Sequence, residues 1–299
     1  MLIRMVALAL VGLALAACSV RRPASADSRP AIPGLTTPPS NTVHASPAQP
    51  IVIGETFSIN SSVMGEVRHI NVLIPTIYGQ KISAPMPVLY MLDGGLDEDF
   101  LHVAGLVQVL VSNGGMRPFM LVGIPNTARR RDMTGPTANA EDLKIAPVVG
   151  GSATFRRFIK EELMPAVAAR YSTTQEAAIV GESLAGLFVV ETLLQEPDLF
   201  TTYIAFDPSL WWADQDLLKS ADARLSAAPV RPRSIFVASS NDPETLSLTS
   251  QFAAIVETRR IAGITIHYAP FLTETHATIY HPAALLAFRT MFAPTSPAK

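Results

Sequence analysis

Val180-Gly181-Glu182-Ser183-Leu184-Ala185-Gly186 is the stretch that decides how this chain is read. A short apolar run over 177–180 precedes the serine, and a helical pattern over 183–194 follows it. Ser183 therefore stands on a strand-to-helix turn, the context of a nucleophile elbow. A turn that sharp strains the serine backbone and leaves room only for small residues two places before it and two after. Gly181 and Ala185 meet that demand. The pattern departs from Gly-x-Ser-x-Gly, because alanine stands at the last position and Gly186 comes one place late.

Outward from the elbow, apolar runs bounded by turn residues recur over 70–74, 88–92, 120–124, 203–206, 235–238 and 264–268. Apolarity that is continuous, without alternation, predicts strands covered on both faces. Between them Phe155, Phe158, Ile159, Leu163 and Val167 recur at steps of three and four within 154–171. Further helices are predicted over 246–261 and 282–292. Strands that alternate with helices imply an α/β fold with a mostly parallel sheet and helices on both faces.

A serine hydroxyl is a poor nucleophile without a positioned base and a carboxylate that orients the base. After an elbow of this kind the acid and the histidine follow in that order. His44, His69 and His102 precede the serine and His267 lies in a predicted strand, which leaves His276 and His281. His276 is the preferred base, since Thr273-Glu274-Thr275-His276 reads as a polar loop after the last strand, whereas His281 stands beside Pro282 at a helix start. The acid is sought after the strand over 234–239, in Ser240-Asn241-Asp242-Pro243-Glu244. Asp242 is preferred, with Glu244 as the alternative and a serine-histidine dyad as a third arrangement. Glu182 is read as a hydrogen-bonding brace at the elbow.

Acyl transfer also needs two donors aimed at the developing oxyanion. The Leu184 N–H at the helix start is one. The glycines of Asp93-Gly94-Gly95-Leu96 point to Gly95 N–H as the other, although Asp93-Gly94 is also compatible with a simple turn. Trp211 and Trp212 are candidate pocket walls, with at least one expected in the core. Arg129, Arg130 and Arg131 form a basic cluster, with Arg131 the candidate contact for an anionic substrate. No phosphate loop, dinucleotide fingerprint or His-Glu metal pattern is present, so neither cofactor nor metal is expected.

The ends of the chain carry a different message. Arg4, the apolar run from Met5 to Leu15, and Ala16-Ala17 read as a secretory signal over 1–17, too short to span a bilayer. Leu15-Ala16-Ala17-Cys18 resembles a bacterial lipobox, which implies lipidation of Cys18; Ser19 after it implies the outer membrane, facing the periplasm. Residues 18–50 are rich in proline and read as an extended tether, with the catalytic domain over 51–299. The chain has 299 residues, of which 48% are apolar and 16% charged, with a net charge of −2 and a single cysteine. That composition excludes a disordered protein and a disulfide framework, and the lack of basic runs argues against nucleic acid.

Several stretches together resemble the putative-esterase branch of the α/β-hydrolases, which includes the enterobactin and salmochelin esterases. They are Ser62 to Arg68, Val88 to Gly95, Asn126-Thr127 with Arg129 to Asp132, Gly181 to Phe188, and Asp207-Pro208-Ser209-Leu210-Trp211-Trp212. The resemblance implies ester hydrolysis through an acyl-serine and carries over Ser183 and His276, but not the acid. It extends to siderophore-type esters, with a catecholate trilactone as one candidate. The expectation is thus a lipid-anchored serine esterase of the cell envelope acting on a small-molecule ester. An acyltransferase of the same fold and an inactive binding lipoprotein are its rivals.

Overall fold

The computed structural model describes residues 46–145, 148–227, 231–259 and 263–294. The signal segment, Cys18 and most of the tether lie outside the described residues. The chain divides into two units, Met1–Pro50 and Ile51–Lys299. Every strand and helix among the described residues lies in the second.

In chain order these are β1 (Glu55–Ser61), β2 (Glu66–Leu73), β3 (Thr76–Ile77), β4 (Gln80–Lys81), β5 (Met86–Leu92), α1 (Phe100–Ser112), β6 (Met120–Ile124), α2 (Arg129–Met133), α3 (Ala140–Ile145) and α4 (Ser152–Phe158). There follow a π-helical turn (Ile159–Leu163), α5 (Met164–Arg170), β7 (Thr173–Glu182), α6 (Leu184–Gln195), β8 (Thr202–Phe206), α7 (Trp212–Ala227), β9 (Arg233–Ser239), α8 (Pro243–Arg259), β10 (Ile264–Pro270) and α9 (Tyr280–Met291). Eight strands form one sheet in the order β1-β2-β6-β5-β7-β8-β9-β10. The strands from β5 to β10 run parallel, while β2 is antiparallel to both neighbours. This is the α/β-hydrolase fold.

Alternation along β5 shows how the two faces are filled. Met86, Val88, Tyr90 and Leu92 enter one apolar cluster, together with Phe155 and Phe158 of α4, residues of α6, and Phe252 of α8. Leu89 and Met91 enter the other, against Phe100 and Val103 of α1 and Ala284 and Phe288 of α9. Because both faces are covered, the central strands read as unbroken apolar runs. The edge strands β1 and β10 alternate between half-buried and exposed positions instead. The helix expected over 154–171 is interrupted by the π-helical turn. Pro165 has no N–H to return to the Glu161 carbonyl, and the helix widens where that bond is missing.

The strand order reverses at β5, which lies between β6 and β7. In open α/β sheets ligands bind beyond the carboxyl ends of the strands at such a reversal. Here the residues at those ends are Asp93 after β5, Ser183 after β7 and Asp207 after β8. All three have positive φ, at 52°, 61° and 45°. For non-glycine residues such a conformation costs about 1–3 kcal/mol each and persists only where the surroundings enforce it.

Candidate active site

The elbow is enforced by contact. A Cβ on Gly181 would stand 2.7 Å from both the carbonyl carbon and the Cβ of Ala185, so the turn closes only with glycine there. Ser183 N–H is held by the Phe206 carbonyl at 3.0 Å, and the Ser183 carbonyl accepts from Leu187 N–H at 2.9 Å. The half-buried hydroxyl is thus presented between the ends of β7 and β8.

His276 comes from the loop after β10. Its Nε2 lies 3.1 Å from Ser183 Oγ, and its Nδ1 lies 2.7 Å from Oδ2 of Asp207. Asp207 accepts at Nδ1 and cannot donate while ionised, so Nδ1 carries the proton and Nε2 is free to take one. The Asp207 hydrogen bond raises the imidazole pKa above its ordinary value of 6.5, against an opposing effect of burial.

The carboxylate that the sequence reading sought after β9 is supplied by β8. Asp207 is 1% exposed and is saturated with donors: Ser240 N–H at 2.6 Å, Ser240 O–H at 2.7 Å, and His276. Asp242 makes no hydrogen bond to the imidazole among the described residues; its Oδ1 caps α8 by accepting from Thr245 N–H at 2.9 Å. That backbone bond is the first cause of its lowered pKa. Glu244 is an exposed residue in the first turn of α8. Neither is the partner of His276. His281 is also committed elsewhere, with Nδ1 2.7 Å from Nε2 of His102.

Leu184 N–H opens α6, where the first amides of a helix have no partner within it. Gly95 N–H is not free in the same way, since it donates to Glu98 Oε2 at 2.7 Å while Glu98 N–H returns to the Gly95 carbonyl at 3.1 Å. This is a tight turn closed by the Glu98 side chain, which satisfies two amides at once and withdraws Gly95 from the oxyanion role in this arrangement. The loop is braced further by Asn126, which donates to Asp93 at 2.5 Å and to Glu98 at 2.7 Å. Arg129 binds both oxygens of Asp93, at 2.7 and 2.8 Å.

The proposed substrate contacts fare unevenly. Trp212 is 4% exposed, with its ring N–H on the Gly135 carbonyl at 3.0 Å, so it is a core residue, and the small cavity it lines beside Gly135 and Pro136 contains neither Ser183 nor His276. Trp211 is half-buried with its ring 5.9 Å from that of Trp212. Arg131 is not available to an anion: it pairs with Glu66 at 2.7 Å and with Asp132 at 2.6 Å. Arg130 donates to the Ile145 carbonyl at the edge of α3. The three arginines therefore act as ties between loops; Arg129 and Arg131 are ion-paired, while the Arg130 side chain is exposed and, among the described residues, bonded only to a backbone carbonyl.

Glu182 precedes the serine and does not serve as the expected brace. Its Oε1 is buried without a hydrogen-bond partner among the described residues. Burial is the main reason its pKa rises to about 7, with His276 opposing and Asp99, Asp207 and Asp93 adding to the rise. Among the described residues no group of three His, Cys, Asp or Glu side chains is placed to hold a metal ion. A groove of about 480 Å³ between α1 and the end of β2, lined by Val52, Ile53, Leu73 and Leu101 among others, contains neither Ser183 nor His276.

The chain is similar in sequence and in fold to known proteins. Over 156 residues the chain is 36% identical to the ferri-bacillibactin esterase BesA of Bacillus subtilis, a match covering 46% of this chain and 53% of that protein. It is 32% identical to the siderophore triacetylfusarinine C esterase of Aspergillus fumigatus over 189 residues, covering 58% of this chain and 62% of the other. These matches span little more than half the length of the curated relatives. Among solved structures, an IroE-like serine hydrolase from Shewanella oneidensis superposes with a TM-score of 0.73 at 26% identity, over 80% of each chain. The family profile described as putative esterase matches residues 61–281, and the chain belongs to that family.

Proposed function

We propose that this protein is a serine esterase in which Ser183, His276 and Asp207 act as one relay. The observation that carries the reading is the unbroken series Ser183 Oγ, His276 Nε2, His276 Nδ1, Asp207 Oδ2, with contacts of 3.1 and 2.7 Å. Ser183 Oγ attacks the ester carbonyl as its proton passes to Nε2, and the imidazolium formed is stabilised by Asp207. Leu184 N–H donates to the carbonyl oxygen as charge develops there. His276 then gives the proton to the leaving alcohol, and water, activated by the same nitrogen, releases the acyl group.

For the substrate we infer a siderophore-type ester, the class named for the relatives above. We also carry forward the envelope location through lipidated Cys18, which palmitate labelling tests: Cys18→Ser should abolish it, and unchanged labelling would reject the anchor.

The experiment for the reaction is labelling by a fluorophosphonate together with hydrolysis of p-nitrophenyl esters and of ferric siderophore esters. Wild type should be labelled at Ser183, and Ser183→Ala should lose both labelling and turnover. Turnover that survives in Ser183→Ala would refute the acyl-serine route.

A further inference from the structure

The segment that supplies Asp207 also supplies a second hydroxyl to the same centre. Two residues after the acid, Ser209 is 4% exposed, and its Oγ lies 3.4 Å from Ser183 Oγ. No other partner of that hydroxyl is found among the described residues. Its backbone is tied to the elbow as well, with Ser209 N–H on the Ser183 carbonyl at 3.1 Å. Trp212 N–H in turn holds the Ser209 carbonyl at 3.1 Å. A buried hydroxyl whose one partner is the nucleophile has little other reason to keep its polarity.

We propose that Ser209 is a further catalytic residue, whose O–H donates to Ser183 Oγ and stabilises the charge that this oxygen carries while it attacks and while it leaves. The inference rests on the relay proposed above. Its direction follows from the proton order along that relay. Asp207 holds the Nδ1 proton, Nε2 accepts from Ser183, and the lone pairs of Ser183 Oγ are left for Ser209 to donate to. In acylation the Ser183 O–H bond breaks, the C–O bond forms, and the proton goes to His276. The Ser209 O–H bond stays intact throughout. In deacylation the electron pair of the breaking C–O bond returns to Ser183 Oγ before Nε2 reprotonates it, so the same donor serves again. At 3.4 Å the resting contact is long for two hydroxyls, and such contacts tighten as charge builds.

Removing the hydroxyl leaves no new orphan, because Ser183 Oγ keeps its bond to His276. Ser209→Ala should therefore fold with an unchanged Tm. Its second-order rate of inactivation by a fluorophosphonate should fall about tenfold, with KM for a p-nitrophenyl ester nearly unchanged and the loss in kcat. Ser209→Thr, which keeps the donor, should recover part of the rate. The pH midpoint of kcat/KM separates this role from a displaced loop. A lost donor lowers the plateau and leaves the midpoint in place, whereas a loop that shifts Asp207 lowers the midpoint. An unchanged inactivation rate, a fall in Tm, or a downward midpoint shift in Ser209→Ala would each overturn the proposal. Labelling of wild type at Ser183 is scored in the same experiment, so failure of the relay itself is seen separately.

Discussion

Two adjacent parallel strands of this sheet lead into the same dipeptide and use it differently. β8 is followed at once by Asp207-Pro208, and β9 by Ser240-Asn241 and then Asp242-Pro243. Asp207 is buried and holds His276, while Asp242 is exposed and caps α8. The difference lies in distance from the strand end and in the conformation of the chain beyond the proline. Pro243 is the first residue of α8, where its missing N–H costs nothing, so the aspartate before it falls at the N-cap. Pro208 starts no helix of its own, and Asp207 stays at the carboxyl edge of the sheet. The strand end that does not supply the acid still contributes, because Ser240 supplies two of the three hydrogen bonds that the Asp207 carboxylate makes among the described residues. An acid and its support thus come from neighbouring strands.

The largest effect separating the two aspartates should come from Asp207→Asn. We expect kcat/KM to fall by about 10² to 10⁴, since the amide neither fixes the tautomer nor stabilises the imidazolium. The pH dependence sharpens this. Neutral His276 is the active form, so kcat/KM rises with pH through a midpoint above 6.5 in wild type. A loss as large in Asp242→Asn would break the comparison.

Next in size is Ser240→Ala, which removes the 2.7 Å hydroxyl donor from Asp207 and leaves the backbone donor. A fall of up to about tenfold in kcat/KM is expected, with little change in KM. No change at all would mean that the support from β9 is unnecessary.

Asp242→Ala should act on stability and not on turnover. Loss of the cap costs about 1 kcal/mol, readable in urea unfolding, while Asp242→Asn, which can still cap, should cost almost nothing. The effect expected at Glu182 is also on stability, and its size depends on pH. The folded-state pKa of about 7 exceeds the ordinary 4.5, so the native state binds the proton more tightly. Its contribution to stability is favourable in acid and is lost as pH rises through about 7. Glu182→Gln should therefore raise Tm above that pH and leave it unchanged near 4.5, by calorimetry. A gain confined to acid would contradict the assignment.

The legibility of the sequence obeys the same physics. The central strands were legible because covering both faces makes them apolar throughout. β1, half exposed with Thr56, Ser58 and Asn60 interleaved, gave no such run. α1 went unread for the opposite reason. Phe100, Val103, Ala104, Leu106, Val107, Leu110 and Val111 are all buried, and other apolar residues on its remaining face leave no clear period. The proximity of Ser183 and His276 was legible from the elbow and from the polar loop after the last strand. The acid was not, because Asp242 mimics it closely, although Asp-Pro ahead of a helical pattern is itself a capping signal. The burial of Trp212 and the pairing of Arg131 depend on Gly135 and Glu66, contacts distant along the chain that local pattern does not carry.

That Asp207 alone completes the relay to His276 is tested most directly by NMR titration of the His276 ring in wild type, Asp207→Asn and Asp242→Asn. We expect a wild-type pKa above 6.5, a clear drop in Asp207→Asn, and a far smaller change in Asp242→Asn. A drop in Asp242→Asn as large as that in Asp207→Asn, or none in Asp207→Asn, would rule the assignment out.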